Sequence, residues 1–243
     1  MEREESIYQK LRQDILMLKL KPGIMLSIKD ITDQYGYGRS PVRDALISLA
    51  KENLITVLPQ RGTMISKIVY EKANNEQFFR QCVEENVMLE FMAVANVAAI
   101  HEMELSLLRQ KDIKKINDIR LFIEEDNAFH RIAYKYTKRN YCNKILAGLS
   151  GDYLRLRLIL MNHCDGTDRI LEQHEQLLSA IKTRETKNMK KVLAEHLTIR
   201  TKDVNHVVKM YPDVFDMEEK ELDPENDDKI NDFLHETKLK YSS

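Results

Sequence analysis

A run of 152 residues without proline, between Pro59 and Pro212, constrains the fold of this 243-residue chain more than any other feature. After Gly62 this run contains only three of the chain's seven glycines. Because proline and glycine interrupt regular structure, a run of this kind, rich in Leu, Ala, Glu, Lys and Met, predicts helices with short connections. Pro22, Pro41 and Pro59 are instead crowded into the first 60 residues, which predicts a small separate unit ahead of the helical part.

The composition excludes several classes of protein. Hydrophobic residues make up 43% of the chain and charged residues 32%, with a net charge of −1, which suits a globular core and argues against disorder of the whole chain. The three cysteines are an odd, widely spaced set without a C-x-x-C pair, so we expect no disulfide framework and a cytoplasmic location. The most apolar stretch, residues 87–100, is interrupted by Glu90 and Asn96, and we expect no membrane segment and no leader.

Charge is distributed unevenly along the chain. Residues 1–67 carry 11 lysines and arginines against 8 aspartates and glutamates, whereas residues 212–243 carry 4 against 11. A local basic footprint is enough for nucleic-acid binding, so the balanced overall charge does not exclude it. For the acidic tail, residues 217–243, two interpretations stay open: a solvated tail, and a short amphipathic helix that docks on a partner subunit.

The N-terminal part predicts three helices and a hairpin. The sequence Ser6–Gln9 has the form of a capping box at a helix start. A short helix is expected at about residues 28–35, and a third begins after Gly38 with apolar residues at i, i+3, i+4 and i+7. Two β-prone runs joined by a Pro-Gln-Arg-Gly turn then predict a hairpin with Arg61 at its tip.

This order of elements is the outline of a winged helix-turn-helix. The N-terminal end of a recognition helix enters the major groove of DNA, where arginines pair with guanine edges or clamp phosphates. Arg39, Ser40 and Arg43 lie at that end of the third helix. Composition alone leaves an alternative open, a small packed helical subdomain with solvated arginines.

Four segments of this part together resemble the GntR family of bacterial transcription regulators. They are LKPGIML from residue 20, ITDQYGYGRSPVRDAL from residue 31, LAKENLI from residue 49 and PQRG from residue 59. The resemblance implies that Arg39 and Arg43 contact DNA from the recognition helix, and Ser40 is assigned to the same contact. Lys29 stands where the family commonly has a DNA-contacting arginine, and Arg61 and Gly62 form the tip of a wing that enters the minor groove. A homodimer on a pseudo-palindromic operator is expected, since a two-fold dimer presents two recognition helices to two half-sites.

Three histidines in the helical part have the spacing of a metal site. His130 follows Asp126 by four residues, which places both on one face of a helix. His174 and His196 lie on two helical runs, each eleven residues from a break near Glu185, so antiparallel helices folded there would bring both imidazoles to the same height. Three imidazoles and one carboxylate suit a divalent Zn, Ni, Mn or Fe ion. A half-buried histidine with a hydrogen-bond partner is the alternative for each residue taken singly.

Four short patterns in the same part resemble the FCD ligand-binding domain of the FadR subfamily. They are R-x-x-x-E at Arg80, D-x-x-x-H at Asp126, H-E-Q-L-L at His174 and H-L at His196. The resemblance implies that one aspartate and three histidines, here Asp126, His130, His174 and His196, bind a divalent metal ion. It also implies that a small carboxylate effector completes the shell, steadied by arginine.

Two arginines, Arg80 and Arg155, are assigned to the effector. An intrahelical ion pair with Glu84 is the alternative for Arg80. Arg155 and Arg157 are two residues apart and cannot share one helix face, so at most one of them reaches the site.

The sequence therefore predicts a mainly α protein. A winged helix-turn-helix occupies residues 1–67, an all-helical antiparallel bundle of FCD type residues 75–216 and the acidic tail residues 217–243. The expected function is that of a sequence-specific DNA-binding transcription regulator, whether repressor or activator, whose operator affinity is controlled by a small organic acid at the metal-containing domain. Two alternatives stay open: a metal-responsive regulator with the ion as effector, and a metal-dependent hydrolase.

Overall fold

The computed structural model describes residues 5–149, 151–163 and 166–216, so the acidic tail lies outside the described residues. The N-terminal part is a compact helix-and-sheet unit. Its elements are α1 (Ile7–Leu16), β1 (Met25–Leu26), α2 (Ile28–Tyr35), α3 (Arg39–Lys51), β2 (Ile55–Leu58) and β3 (Gly62–Ile65).

Local sequence signals fix the ends of the N-terminal helices. The capping box predicted at the start of α1 is confirmed, since Ser6 and Gln9 exchange side-chain and backbone hydrogen bonds. Helix α2 has a second capping box at Ser27 and ends at Gly36 in the left-handed conformation, with φ of +74°. Helix α3 buries the predicted stripe of apolar residues, Val42, Ala45, Leu46 and Leu49.

The strands of this unit form an antiparallel sheet in the order β1-β3-β2. The predicted hairpin is confirmed: Leu58 pairs with Gly62, so the loop between the strands is three residues long. Gly62 has a φ of +110°, and a Cβ there would lie 3.2 Å from the carbonyl oxygen of Leu26. A side chain at Gly62 would therefore push the hairpin tip away from β1.

The rest of the described chain is a helical bundle with a minimal parallel sheet at one end. A core of Leu, Ile, Phe and Met side chains lies between its helices. The elements are β4 (Ile68–Val69), α4 (Tyr70–Val94), α5 (Val97–Lys115), α6 (Ile119–Tyr136), α7 (Asn140–Leu149), α8 (Gly151–His163), α9 (Gly166–Thr183), α10 (Thr186–Leu197), α11 (Thr201–Met210) and β5 (Phe215–Asp216).

The helical run that follows the break near Glu185 is divided into two helices. Helices α10 and α11 are separated at residues 198–200 by extended backbone. Side chains from other elements satisfy the backbone there: Tyr153 donates to the Leu197 carbonyl at 3.2 Å, and the Ile199 amide donates to Gln77 at 3.1 Å. The break predicted near Glu185 is present between α9 and α10.

The end of the described chain returns to the linker between the two parts. Strand β5 pairs in parallel with β4, with Phe215 opposite Ile68 and Asp216 opposite Val69. Helix α4 follows β4 directly and begins at Tyr70, before the start at residue 75 that the sequence predicts for the helical part. Among the described helices, none combines the length and apolarity needed to cross a bilayer.

Candidate metal and effector site

Three helices bring Asp126, His130, His174 and His196 together inside the bundle. Helix α6 supplies Asp126 and His130, α9 supplies His174 and α10 supplies His196. The Nε2 atom of His130 lies 3.0 Å from Nε2 of His196 and 3.3 Å from Nε2 of His174. Oδ1 of Asp126 is 3.5 Å from Nε2 of His174 and 3.7 Å from Nε2 of His196. The four candidate ligand atoms all lie within 4.8 Å of one another.

Each imidazole of this cluster is held from outside by an oxygen acceptor. With its proton on Nδ1, each ring would donate to that oxygen and direct the Nε2 lone pair into the cluster. The pairs and their Nδ1-to-oxygen distances are His130 with Glu84 at 3.0 Å, His174 with Gln110 at 2.7 Å, and His196 with Gln173 at 3.2 Å.

Burial and the neighbouring charges favour a neutral imidazole at His174 and at His196 and an ionised carboxylate at Asp126. Burial lowers the pKa of His174 to about 3, although Asp126 opposes the shift. Burial likewise places the pKa of His196 well below its usual value. For Asp126 burial acts to raise the pKa, but the positive charge of the adjacent Arg157 guanidinium opposes it, and the pKa lies well below the usual range. Neutral imidazoles and an ionised carboxylate are the forms that bind metal ions.

The cluster fits a divalent cation. Oδ1 of Asp126 is buried without a hydrogen-bond partner in the described part of the chain. In the tautomer with the protons on Nδ1, the three Nε2 atoms have no proton to share, although Nε2 of His130 lies 3.0 and 3.3 Å from the other two. A cation among them would satisfy all four donors at once, and a set of imidazoles with one carboxylate suits Zn, Ni, Mn or Fe.

Two buried arginines flank the cluster. Arg157 donates to Oδ2 of Asp126 at 2.7 Å, and Arg80 donates to Glu84 at 2.8 Å. Both guanidinium groups lie over the Tyr153 ring, 5.5 Å from its centroid for Arg157 and 5.7 Å for Arg80. Arg80 therefore lies beside the site and also forms the intrahelical pair that was the alternative for it.

The assignment of Arg155 to the effector is corrected by its position. Its guanidinium group donates to the carbonyl oxygen of Ser66 at 2.6 Å and to Asp152 at 2.6 Å. Residues two apart on a helix point about 200° apart, so α8 directs Arg157 to the cluster and Arg155 to the linker. Their spacing in the sequence shows that only one of Arg155 and Arg157 can face the site, but it does not show which one.

Three polar residues in or near the site carry no sequence signal of their own. Gln110 and Gln173 hold imidazoles, and the sequence around them has no pattern that marks them out. The hydroxyl of Tyr134 is buried without a hydrogen-bond partner among the described residues. Burial raises its pKa, and the nearby charge of Glu84 adds to the shift. A buried hydroxyl of this kind is costly unless a ligand or water accepts its proton.

The residues assigned to DNA contact all belong to the N-terminal unit. Four of them are cations with exposed side chains, and in the part of the chain that the structure describes none of these cations forms an ion pair. Gly62 is half-buried at the hairpin tip. The set is Lys29 on α2, Arg39, Ser40 and Arg43 on α3, and Arg61 and Gly62 at the hairpin.

Both parts of the chain match known protein families. Residues 3–65 match the model of bacterial regulatory proteins of the gntR family, and residues 78–198 match the FCD domain. The HTH-type transcriptional repressor RspR of Escherichia coli K12 is 27% identical over 217 residues, which cover 88% of this chain and 94% of RspR. The gluconate operon transcriptional repressor of Bacillus subtilis 168 is 27% identical over 180 residues, or 72% and 74% of the two chains.

A solved structure shows the same fold. E. coli McbR/YncC superposes with a TM-score of 0.69 at 18% identity, covering 84% of this chain and 96% of that one.

Proposed function

Because this chain belongs to the GntR family of transcriptional regulators and carries an FCD ligand-binding domain, we propose that it binds a specific operator with an affinity controlled by a small organic acid at a metal-containing site. Its family consists of regulators and not of enzymes, which excludes the hydrolase alternative. Asp126, His130, His174 and His196 would hold the ion. When bound, the ion supplies positive charge for the carboxylate of the effector.

The proposal rests above all on the convergence of three Nε2 atoms and one unpartnered carboxylate oxygen within 4.8 Å. A buried histidine with a structural role satisfies both ring nitrogens with protein groups or water. Here an oxygen lies within 3.2 Å of each Nδ1 atom, and with the protons on Nδ1 the inner nitrogens are all electron-pair donors. Such an arrangement is costly without a cation and favourable with one.

Arginine and tyrosine support a carboxylate as the effector. Arg157 and Arg80 are buried beside the cluster, and a guanidinium pairs strongly with a carboxylate. The unpartnered hydroxyl of Tyr134 offers a further donor. An effector of this kind changes DNA affinity only if it binds one arrangement of the two DNA-binding units better than another.

The DNA half of the proposal is supported by the exposed cations of α3 and the hairpin. Arg39 and Arg43 lie at the start of α3, the end that enters the major groove in proteins of this design. We expect a homodimer whose two α3 helices contact the half-sites of a pseudo-palindrome. Sedimentation of the protein with and without a duplex would measure that stoichiometry.

A metal-responsive regulator, with the ion alone as effector, is the second candidate. The observation that favours it is a cluster with four protein donors, which needs no organic ligand to hold an ion.

Titration of DNA binding separates the two candidates. Metal content is measured on the purified protein, and the affinity for an operator duplex is then measured with metal, with chelator, and with metal plus a panel of small carboxylic acids. We expect one equivalent of metal per chain and an acid that changes the affinity by about 5- to 150-fold. The amides of the same acids, which lack the charge, serve as controls. A response to metal alone favours the second candidate, and no response to either contradicts both.

A further inference from the structure

The DNA-binding unit has an apolar groove between α3 and the hairpin. Ile28, Leu46, Ile47 and Val57 are among its lining residues, and it encloses about 620 Å³. Ile47 is 51% exposed and Val57 is 60% exposed, although both are β-branched apolar residues on regular elements. In the part of the chain that the structure describes, nothing covers this groove. A contiguous apolar surface of this kind is typical of an interaction site.

Basic side chains lie at the rim of the groove. Arg43 and Lys51, two turns apart on α3, both line it, and Lys29 follows Ile28 directly in the sequence. An occupant that is apolar in the middle and acidic at its edges would therefore match the groove in both respects.

The C-terminal tail leaves the described structure beside this unit. Asp216, the residue before the tail, pairs with Val69 in the linker. Val69 is six residues beyond Thr63, a residue of β3 that lines the groove, so the two lie at most about 20 Å apart. A Cβ added at Gly23 would also lie 3.4 Å from the Asp213 carbonyl oxygen, which places Asp213 against the DNA-binding unit.

The tail has the chemistry that the groove requires. Residues 225–236 carry five acidic residues and one lysine. Ile230, Phe233 and Leu234 lie among them at i, i+3 and i+4, the spacing of one helix face. Ile230 is the fourteenth residue after Asp216, and fourteen extended residues span up to about 50 Å. The tail therefore reaches the groove of its own chain with slack.

We propose that residues 225–236 dock in this groove of the same chain, with Ile230, Phe233 and Leu234 in the groove and the acidic residues against Arg43 and Lys51. The docked segment covers Arg43 and therefore competes with DNA. This competition rests on the proposed role of Arg43 in operator binding. The tail is then an intramolecular inhibitor of the DNA-binding unit. An effector or a partner that withdraws the tail would raise operator affinity.

Docking is tested first without DNA, so that its outcome is independent of the proposed function. Methyl resonances of Ile47 and Val57 are recorded in the full chain, in Phe233→Ala and in a chain that ends at residue 216. We expect both resonances to shift in the two variants, because the Phe233 ring no longer lies over them, while the methyl of Ile145 on α7 stays in place. Tyr241→Ala, an aromatic substitution elsewhere in the tail, is the matched control and leaves all three unchanged.

Unchanged Ile47 and Val57 resonances in the shortened chain would overturn the proposal. The labelled shortened chain is also mixed with the unlabelled full chain. If the labelled groove then acquires the resonances of the full protein, the tail comes from a second copy, and docking within one chain is wrong.

Inhibition is tested on a duplex selected from random sequence by the full chain. If the tail occupies the groove nine-tenths of the time, Phe233→Ala binds that duplex about tenfold more tightly. Phe233→Ala keeps every charge of the tail. If the tail weakened DNA binding only through charge repulsion, the variant and the parent would therefore bind the duplex equally well. Methyl shifts without tighter DNA binding would overturn inhibition, whereas failure of every form to bind DNA would count against the proposed function.

Discussion

At the scale of single residues, His174 is the centre of the candidate metal site. It is fully buried, it stacks on Phe129 with ring centroids 4.2 Å apart, and its Nε2 atom is within 3.5 Å of the donor atoms of His130 and Asp126. Its ring is therefore fixed by packing as well as by Gln110.

His174→Ala is expected to abolish stoichiometric metal binding and to lower the melting temperature of the metal-loaded protein. The reason is that the variant removes one ligand and leaves Asp126 buried with one neighbour fewer. His101→Ala, in an exposed side chain on α5, should keep both properties. Elemental analysis and calorimetry measure them, and one retained equivalent of metal with an unchanged melting temperature would show that His174 is an ordinary core residue.

Glu76 on α4 gives the protein a pH dependence that is independent of metal. It is buried and accepts from the Tyr153 amide at 2.8 Å, and burial raises its pKa to about 7 from a usual 4.5. The folded protein therefore holds this proton more tightly than the unfolded chain. The resulting stabilisation is complete below about pH 4.5 and is lost as the pH rises through 7.

Glu76→Gln is expected to raise the free energy of unfolding at pH 8 by about 1–3 kcal/mol, because a neutral amide then replaces the buried carboxylate charge. The difference in stability between variant and parent should shrink between pH 7 and pH 4.5. Denaturant unfolding at a series of pH values measures it. Glu71→Gln, at an exposed position five residues earlier, is the control, and a constant difference across that range would contradict the assignment.

At the scale of elements, α8 connects the cluster with the linker. Tyr153 and Arg157 face the site, whereas Asp152 and Arg155 contact the linker. Arg155 is fully buried and also donates to the Lys67 carbonyl. A shift of α8 would therefore change contacts both at the site and at the linker.

Arg155→Lys is expected to keep metal binding but to reduce the effect of site occupancy on DNA affinity several-fold. Lysine keeps the charge but loses the fork that reaches two groups at once. The comparison is the ratio of operator affinities with metal and with chelator, or with effector once known. Arg109→Lys, at an exposed arginine that pairs with Glu125, is the control. An unchanged ratio in Arg155→Lys would show that α8 does not carry the coupling through this residue.

Helices α3 and α2 are expected to contribute differently to DNA binding, α3 to sequence preference and α2 to binding of any sequence. Arg43→Ala should cost about 1–3 kcal/mol and relax base preference at one position, because an arginine at the helix start reads a base edge. Lys29→Ala should instead weaken binding to all sequences and reduce the salt slope by about one unit. Affinities for an operator and a scrambled duplex over a range of salt concentrations separate the two effects. The same selectivity in both variants would contradict the division of roles.

The sequence is informative about an element wherever its ends are determined locally. Capping residues and Gly36 define the ends of α1 and α2, and the break near Glu185 sets the register that brings His174 and His196 together. The break between α10 and α11 is not predictable in this way. Its backbone groups bond to Tyr153 and Gln77, which lie on helices distant in the sequence. The choice of Arg157 over Arg155 depends in the same way on tertiary packing.

At the scale of the whole molecule, the cluster ties α6, α9 and α10 to one another. An ion bound only by the folded protein stabilises it by about 2.7 kcal/mol when its concentration is a hundred times the dissociation constant. Removal of metal with a chelator should therefore lower the melting temperature of the parent. His174→Ala should show no such response, and calorimetry with and without chelator makes the comparison. An equal response in both proteins would place the stabilising ion elsewhere.

The pairing of β4 with β5 has a practical consequence. Neighbouring strands lie about 4.8 Å apart, so the chain enters and leaves the helical domain at almost the same point. A domain with adjacent ends can be inserted into a surface loop of another protein with little strain on the host. Residues 68–216 are thus suited to insertion into a fluorescent protein. Binding of a metal ion or effector at the cluster would then be detected as a change in emission.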